Sequence, residues 1–467
     1  MLEGLEIREF QLSDCIKNKD YRIDTDYYIK SPLKNKNLTY KRIGDCLMYS
    51  QYGISIEMNE VNRGYPIYRM NEIHDMLCDI ETNKYADIDK ETFEIFRLNN
   101  KDVLFNRTNS YDFVGRTGVY YDNDGIERTF ASYLVKFVPN SSVILPEYLA
   151  AYLNTKQGVW DIKRRARQSI NQTNVNPEEV KEMDIPILSM GIQKAIQDRV
   201  VLANSLRCQA DCLYKGVEER MSETFGANRV DNSQNNKNIV KFKNSFLVSG
   251  RFDAEYYQPQ YDELFKLLEQ FDTQMLGELV AITKSVEPGS NYYLTEGVPF
   301  VRVADLTKFG ITKPSIYLDN EIFKDVIRPK QDTILMSKDG SIGIAYKVEK
   351  DENFITSGAI LHLQIIDDNI LPDYLTLVIN SKVVQMQAER DSGGSIIQHW
   401  KPSEISNVVI PILPMEKQLE ISQLVQESFR LRNESKRLLN VSKTAVEIAI
   451  GESENTALNY LKENGNG

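Results

Sequence analysis

The chain has 467 residues, a formal net charge of −11 and 42% hydrophobic residues, which fits about three domains, with each half long enough to bury a core of its own. Such an acidic balance excludes general attraction to polyanions, so any nucleic-acid binding must rest on local patches. Met1-Leu2-Glu3-Gly4-Leu5-Glu6 has no apolar core, no run reaches membrane-span length, and five scattered cysteines form no disulfide framework, so a cytoplasmic chain without signal peptide or membrane segment is expected.

Residues 40–140 carry short Val/Ile/Tyr/Phe-rich runs broken by Gly, Asn, Asp and Pro, which predict strands and turns. Strands are expected at Val103-Leu104-Phe105 and at Tyr133-Leu134-Val135-Lys136-Phe137, and Pro146 opens a short helix. After Ile187-Leu188 a long helix is predicted. In it Ile196, Ala203, Ala210 and Val217 recur by seven, with Leu206 and Leu213 in the alternate seam. Cys208 and Cys212 on this helix are expected as small buried thiols rather than zinc ligands, since the histidines lie far off in sequence. Ala227 to Asn238 is polar, Asn-rich and aperiodic, the composition of a linker. The same order then recurs: strands at Thr333-Ile334-Leu335-Met336 and Ala359-Ile360-Leu361-His362-Leu363, a helix from Pro372, and a long helix after Ile412-Leu413. Here Leu424, Leu431, Leu438 and Ala445 recur by seven, with Ser428, Ser435 and Ser442 between them. Neither helix has an apolar stripe wide enough to bury alone, so the two are expected to pair. The tail from Lys462 to Gly467 is expected to fray.

The repetition extends to individual residues. Gly64-Tyr65-Pro66-Ile67-Tyr68-Arg69 returns as Gly297-Val298-Pro299-Phe300-Val301-Arg302, and Arg22-Ile23-Asp24-Thr25-Asp26-Tyr27-Tyr28 as Arg251-Phe252-Asp253-Ala254-Glu255-Tyr256-Tyr257. Leu145-Pro146-Glu147-Tyr148-Leu149 matches Leu371-Pro372-Asp373-Tyr374-Leu375. A period this long is a whole domain with its appendage, and two similar units imply two similar surfaces.

No phosphate loop, dinucleotide fingerprint or nucleophile elbow is present, nor the Asn/Asp-Pro-Pro-aromatic tetrapeptide that grips a target amine. The polar clusters that stand out are loops, once in each half. Asn106, Arg107, Thr108, Asn109 and Ser110 follow a strand and lead to Gly115-Arg116; Ser337, Lys338, Asp339, Gly340 and Ser341 lead to Ile342-Gly343. Such donor-rich loops suit phosphates and base edges, or are simply solvated hairpins. A second pair is Lys163, Arg164, Arg165, Arg167 and Gln168 against Ser392, Gly393, Gly394, Ser395, Gln398, Trp400 and Lys401. The basic run suits several phosphate contacts or a salt-bridged helix end; the glycines permit close backbone approach, and the Trp could stack on a base. Arg69 and Arg302, in the repeated blocks, complete the candidates.

At these residues the chain resembles the specificity subunit of type I restriction-modification systems. The resemblance rests on the duplicated Gly-x-Pro-hydrophobic-hydrophobic-Arg blocks, on the segment from Asp332 to Gly343, on Gly394-Ser395 with Gln398, and on Ile410-Pro411-Ile412-Leu413-Pro414-Met415-Glu416-Lys417-Gln418 leading into a long helix. It implies an α+β chain with two mainly-β target-recognition domains, 1–188 and 246–412. Long spacer helices follow at 189–226 and 413–455, with a linker at 227–245, and the helices pair as an antiparallel coiled coil. It also implies a non-catalytic subunit that binds double-stranded DNA at a split asymmetric target, with no cofactor or metal of its own. Two methyltransferase subunits using S-adenosylmethionine, and restriction subunits using ATP and Mg, would be its partners in defence against foreign DNA. The first half departs from the pattern, with Asn106-Arg107-Thr108 against Ser337-Lys338-Asp339 and no Gly-Ser pair before its Gln. Competing readings are the recognition subunit of a related system with a fused methyltransferase-nuclease partner, an enzyme whose site leaves no local signature, and a coiled-coil scaffold that does not bind DNA.

Overall fold

The computed structural model describes residues 9, 11–17, 22–29, 34–170, 172–230, 237–392 and 398–464. It comprises two units, residues 1–209 with 431–467 and residues 210–430, so each long helix gives one part to each unit.

In the first unit the main sheet runs Leu47–Tyr52, Leu134–Pro139, Val103–Asn106, Thr117–Val119, Leu77–Cys78, Ile73–His74. Val103, Leu104 and Phe105 are wholly buried, as are Leu134 and Phe137; continuous apolar runs are what a strand covered on both faces requires. A second sheet sets Tyr65–Tyr68 parallel to Thr129–Phe130. The second unit repeats this plan. Val280–Lys284, Ile360–Ile365, Ile334–Ser337 and Ala345–Lys347 form one sheet, and Val298–Val301 lies parallel to Ile355–Thr356 in another. The strands expected from composition are therefore neighbours: Val103–Asn106 beside Leu134–Pro139, and Ile334–Ser337 beside Ile360–Ile365.

Pro146–Leu153 and Pro372–Asn380 are helices with Pro in the first turn, where a missing N–H costs nothing. The same bonds hold both. Tyr148 donates its hydroxyl to the Pro186 carbonyl at 2.5 Å, and Tyr374 to Pro411 at 2.7 Å. Buried Gln193 accepts from the Leu145 N–H at 2.9 Å and donates to the Val143 and Leu188 carbonyls. Gln418 does the same for Leu371, Asn369 and Leu413. One glutamine at the start of each long helix thus satisfies the backbone where strand, Pro-helix and long helix meet.

The long helices are Met190–Phe225 and Met415–Gly451. In the first unit the Ser435 hydroxyl donates to the Ala203 carbonyl at 2.7 Å. In the second, Ser428 donates to Ala210 at 2.7 Å and Arg220 lies 3.8 Å from Glu420. Residue numbers fall on one helix as they rise on the other, so the pairing is antiparallel. Alanine facing serine lets the backbones approach closely enough for a hydroxyl to reach the neighbouring helix's carbonyl. Ile196, Ala203, Ala210 and Val217 are buried as expected, as are Ser428, Ser435, Ser442, Leu431, Leu438 and Ala445.

The alternate seam differs. Leu206 and Leu213 are only half-buried, as is Leu424, and Val200, Tyr214 and Met221 are buried instead. The stripe must also cover the globular body: Tyr214 packs edge-on against Phe309, with ring centroids 4.9 Å apart. The thiol expectation also fails, because Cys208 is half-buried and Cys212 exposed. Two further expectations are corrected by packing. Ala227 and Val230, at the start of the Asn-rich stretch, belong to the second unit's core. Lys462 to Asn464 are helical, within Glu454–Asn464, where Leu461 is buried and Arg437 donates to the Asn464 carbonyl at 2.8 Å.

Candidate nucleic-acid interface

In each unit the two polar loops singled out in the sequence lie side by side. Strand Val103–Asn106 delivers Thr108–Asn109, which pairs with Thr173–Asn174, and this pairs in turn with Arg167–Gln168. In the second unit the equivalent ladder is an Asp339–His399 bridge flanked by Gly340 N–H to Gln398 O at 2.9 Å and Trp400 N–H to Lys338 O at 2.8 Å. The first unit matches the last of these with Val175 N–H to Arg107 O at 2.9 Å. This register makes Arg107 equivalent to Lys338, Thr108 to Asp339 and Asn174 to His399.

The side chains on this frame differ between units. Thr108 donates to Asn174 at 2.6 Å, a neutral pair. At the equivalent place Asp339 accepts from His399 at 2.8 Å and from Lys338. Burial pushes the Asp339 carboxyl up, but the Lys338 and His399 hydrogen bonds outweigh it and hold it below the usual range. The partly buried Lys338 is thus already neutralised within the protein. Asn106 and Ser337, at the strand ends, are fully buried. Asn106 donates to the Met70 carbonyl at 3.2 Å; Ser337 donates to Ser341 O at 2.5 Å and accepts from Ile344 N–H at 2.9 Å. These two shape the loops from within.

Both loops return through a glycine in the left-handed region, Gly115 at φ 90° and Gly343 at φ 74°. A Cβ would meet Ile162 at 2.6 Å in one and Gln385 at 2.6 Å in the other, so the helices Lys156–Arg165 and Lys382–Asp391 press on the loops where the left-handed backbone favours glycine.

The basic run does not form the phosphate-facing row that its sequence suggests. Its first members end the helix Lys156–Arg165, and three of the four cations turn inward. Lys163 donates to the Tyr111 carbonyl and to Val114 O at 3.0 Å, and burial pushes its ammonium down to about 8. Arg164 reaches Asp161 and the Tyr27 carbonyl. Arg165 is 4% exposed; it donates to the Asp161 carboxylate and to Glu179 O at 2.9 Å. Only Arg167, 3.4 Å from Glu179, keeps an exposed side chain beside exposed Gln168. The reason is local for the two arginines: Asp161 is a buried carboxylate that must be paired, and Arg164 and Arg165 follow it by three and four residues. Trp400 is likewise 1% exposed and belongs to the core, so it does not stack on a ligand.

The repeated Arg-x-Asp-x-x-Tyr-Tyr block explains what holds these helix ends. Arg22 forks onto Asp24 at 2.7 and 2.9 Å and donates to the Arg165 carbonyl at 2.8 Å. Arg251 binds Asp253 and donates to the Asp391 carbonyl at 2.8 Å. Each guanidinium thus satisfies a free carbonyl at a helix C-terminus just before the second loop begins.

The remaining candidates are distributed as follows. Arg69 binds Glu72 at 2.8 Å, and Arg302 lies 3.8 Å from Asp305; both close the turn after their strands. Arg107 sits over the Tyr52 ring at 5.2 Å and donates to Ser132 O at 3.3 Å. Arg116, half-buried, stacks on Phe113 at 4.1 Å. Asn109 is half-buried, and Ser110, Ser341, Gln398 and Lys401 are exposed, Lys401 lying 3.3 Å from Glu404. Ser392 is half-buried; Gly393, Gly394 and Ser395 lie outside the described residues. The sequence reading missed His399 and Asn174, whose roles depend on partners far along the chain, and Asp161, whose partners Arg164 and Arg165 follow it on the same helix. Among the described residues no cluster of His, Cys, Asp and Glu could hold a metal, and no helix is long and apolar enough to cross a membrane.

Residues 269–441 match the family of the type I restriction modification DNA specificity domain. A curated relative, the putative type I restriction enzyme MjaX specificity subunit of Methanocaldococcus jannaschii, is 24% identical over 404 residues, covering 82% of this chain and 84% of its own. Among solved structures, the type I restriction-modification system S subunit of M. genitalium aligns at 14% identity and a TM-score of 0.38, covering 92% of this chain and 98% of that one. The HsdS subunit of Thermoanaerobacter tengcongensis aligns at 14% identity and a TM-score of 0.30, covering 90% and 98%. Through residues 269–441, the chain is therefore similar to the type I restriction modification DNA specificity domain family.

Proposed function

We propose that this chain is the non-catalytic DNA-recognition subunit of a type I restriction-modification assembly, each unit reading one part of a split duplex target. The observation that carries this reading is the duplicated frame. Both units join a strand-end loop to the loop after a capped helix, yet place Thr108 with Asn174 in one and Asp339 with His399 in the other. A shared frame with different hydrogen-bonding groups is what reading two different base sequences requires. Methylation by S-adenosylmethionine-dependent partners and ATP-driven restriction belong to other subunits in this reading, with the paired long helices as the scaffold they join.

The test is an exchange of residues 251–395 for the equivalent segment of a related protein, followed by mapping of methylated adenines in cells. Change in one half of the target, with the other intact, is expected. Change in both halves, or in neither, overturns the reading.

A further inference from the structure

The first unit carries a fully exposed apolar side chain on a hairpin of its candidate interface. Arg167–Gln168 and Thr173–Asn174 are the arms of a hairpin. Its neck is closed by Ser169, whose N–H and hydroxyl both donate to the Gln172 carbonyl at 2.8 Å. Ile170 stands at the tip with a relative exposure of 101%. The register Gln168–Thr173–Asn109 sends Ser110-Tyr111 out of the sheet at the same end as this tip. Ser110, Gln168, Ser169 and Gln172 are all exposed there.

We infer that Ile170 is a wedge that enters a groove of duplex DNA and opens the stacking of one base step. This rests on the DNA-recognition reading above and specifies how that site treats its ligand. One β-branched side chain with the exposed Tyr111 at the same end, among hydroxyl and amide groups, is too small a patch for a protein interface, which needs a larger contiguous apolar area. The same arrangement fits a groove. The branched side chain is stiff about its first torsion and meets base faces, while the surrounding donors and acceptors meet base edges and sugars. Apolar wedges of this kind unstack and kink a duplex in other groove-binding proteins. A sequence preference then arises from how easily a step deforms, without a hydrogen bond to either base.

The probe is duplex DNA selected from a random-sequence pool by the full chain, then synthesised with 2-aminopurine at each position in turn. Binding of the unsubstituted chain is expected to raise fluorescence at one step. Ile170→Ala is expected to lose that signal while the duplex still binds, and Ile170→Leu to restore it. Failure of the pool to yield any preferred sequence would overturn the DNA-recognition reading itself. A preferred sequence with no fluorescent step, or with a signal unchanged in Ile170→Ala, would overturn the wedge alone. So would an Ile170→Ala chain that keeps the signal but no longer assembles with its protein partners, since the tip would then be a protein contact.

Discussion

Replacing Arg165 with alanine separates the two readings of the basic run. Arg165 is 4% exposed, and its guanidinium holds the buried Asp161 carboxylate and the Glu179 carbonyl, the latter at 2.9 Å. Removing one partner of a buried pair costs about 3–5 kcal/mol, because the other charge is left unsatisfied. Arg164 still reaches Asp161, so the lower end, about 3 kcal/mol, is expected. With a urea slope of roughly 3 kcal/mol/M, the first unit's midpoint should fall by about 1 M. The chain has two tryptophans; Trp160 lies in the first unit and Trp400 in the second. In a Trp400→Phe background, Trp160 fluorescence therefore follows the first unit, and the Arg165→Ala shift is read against that background. The slope of log K for DNA against log salt should be unchanged in protein that remains folded. An unchanged urea midpoint together with a slope flattened by about one would refute the buried-pair assignment.

Arg167→Ala, by contrast, should flatten the salt slope by about one and, because Arg22 still lies 3.5 Å from Glu179, lower the first unit's stability by only about 1 kcal/mol. Gln418→Ala removes one accepted and two donated hydrogen bonds from a fully buried side chain, and chemical denaturation followed by Trp400 should show a loss of about 2–3 kcal/mol. Ser435→Leu overfills the seam where the hydroxyl meets Ala203; a loss of about 1–3 kcal/mol in the first unit, with weaker assembly in pull-down, is expected. His362 sits beside Thr356 at 2.8 Å, and burial pushes its imidazole down to about 4. The unfolded chain therefore binds the extra proton first, so the second unit should lose on the order of 2–3 kcal/mol as pH falls from about 6.5 to about 4. His362→Gln, compared by Trp400 fluorescence across that range, should remove this dependence.

Local rules carried the reading wherever the determining neighbours were close in sequence. Strand positions such as Val103 to Phe105 and Ile334 to Met336 are legible because full burial demands continuous apolar runs. The helices from Pro146 and Pro372 are legible because Pro fits a first turn, and the paired helices because a seam must recur by seven. The duplication is legible because two copies of one frame keep the residues the frame needs, among them Arg22 and Arg251. The second seam was misassigned for the opposite reason: which face turns inward depends on Tyr214 meeting Phe309, a residue far along the chain.

The sequence alone therefore determined that this protein has two like units, paired long helices and polar loops at matching positions, since periodicity and repetition are properties of the chain itself. Only the tertiary structure decided what those loops can offer a ligand. A cation's availability depends on whether a buried carboxylate claims it. Arg164 and Arg165 are claimed by Asp161, and Lys338 by Asp339, while Gln168, Ser169 and Ile170 are left facing outward. Charge is written in the residue, and Asp161 and Asp339 lie close in sequence to the cations they claim, but it is the burial imposed by the fold that makes those carboxylates hold them.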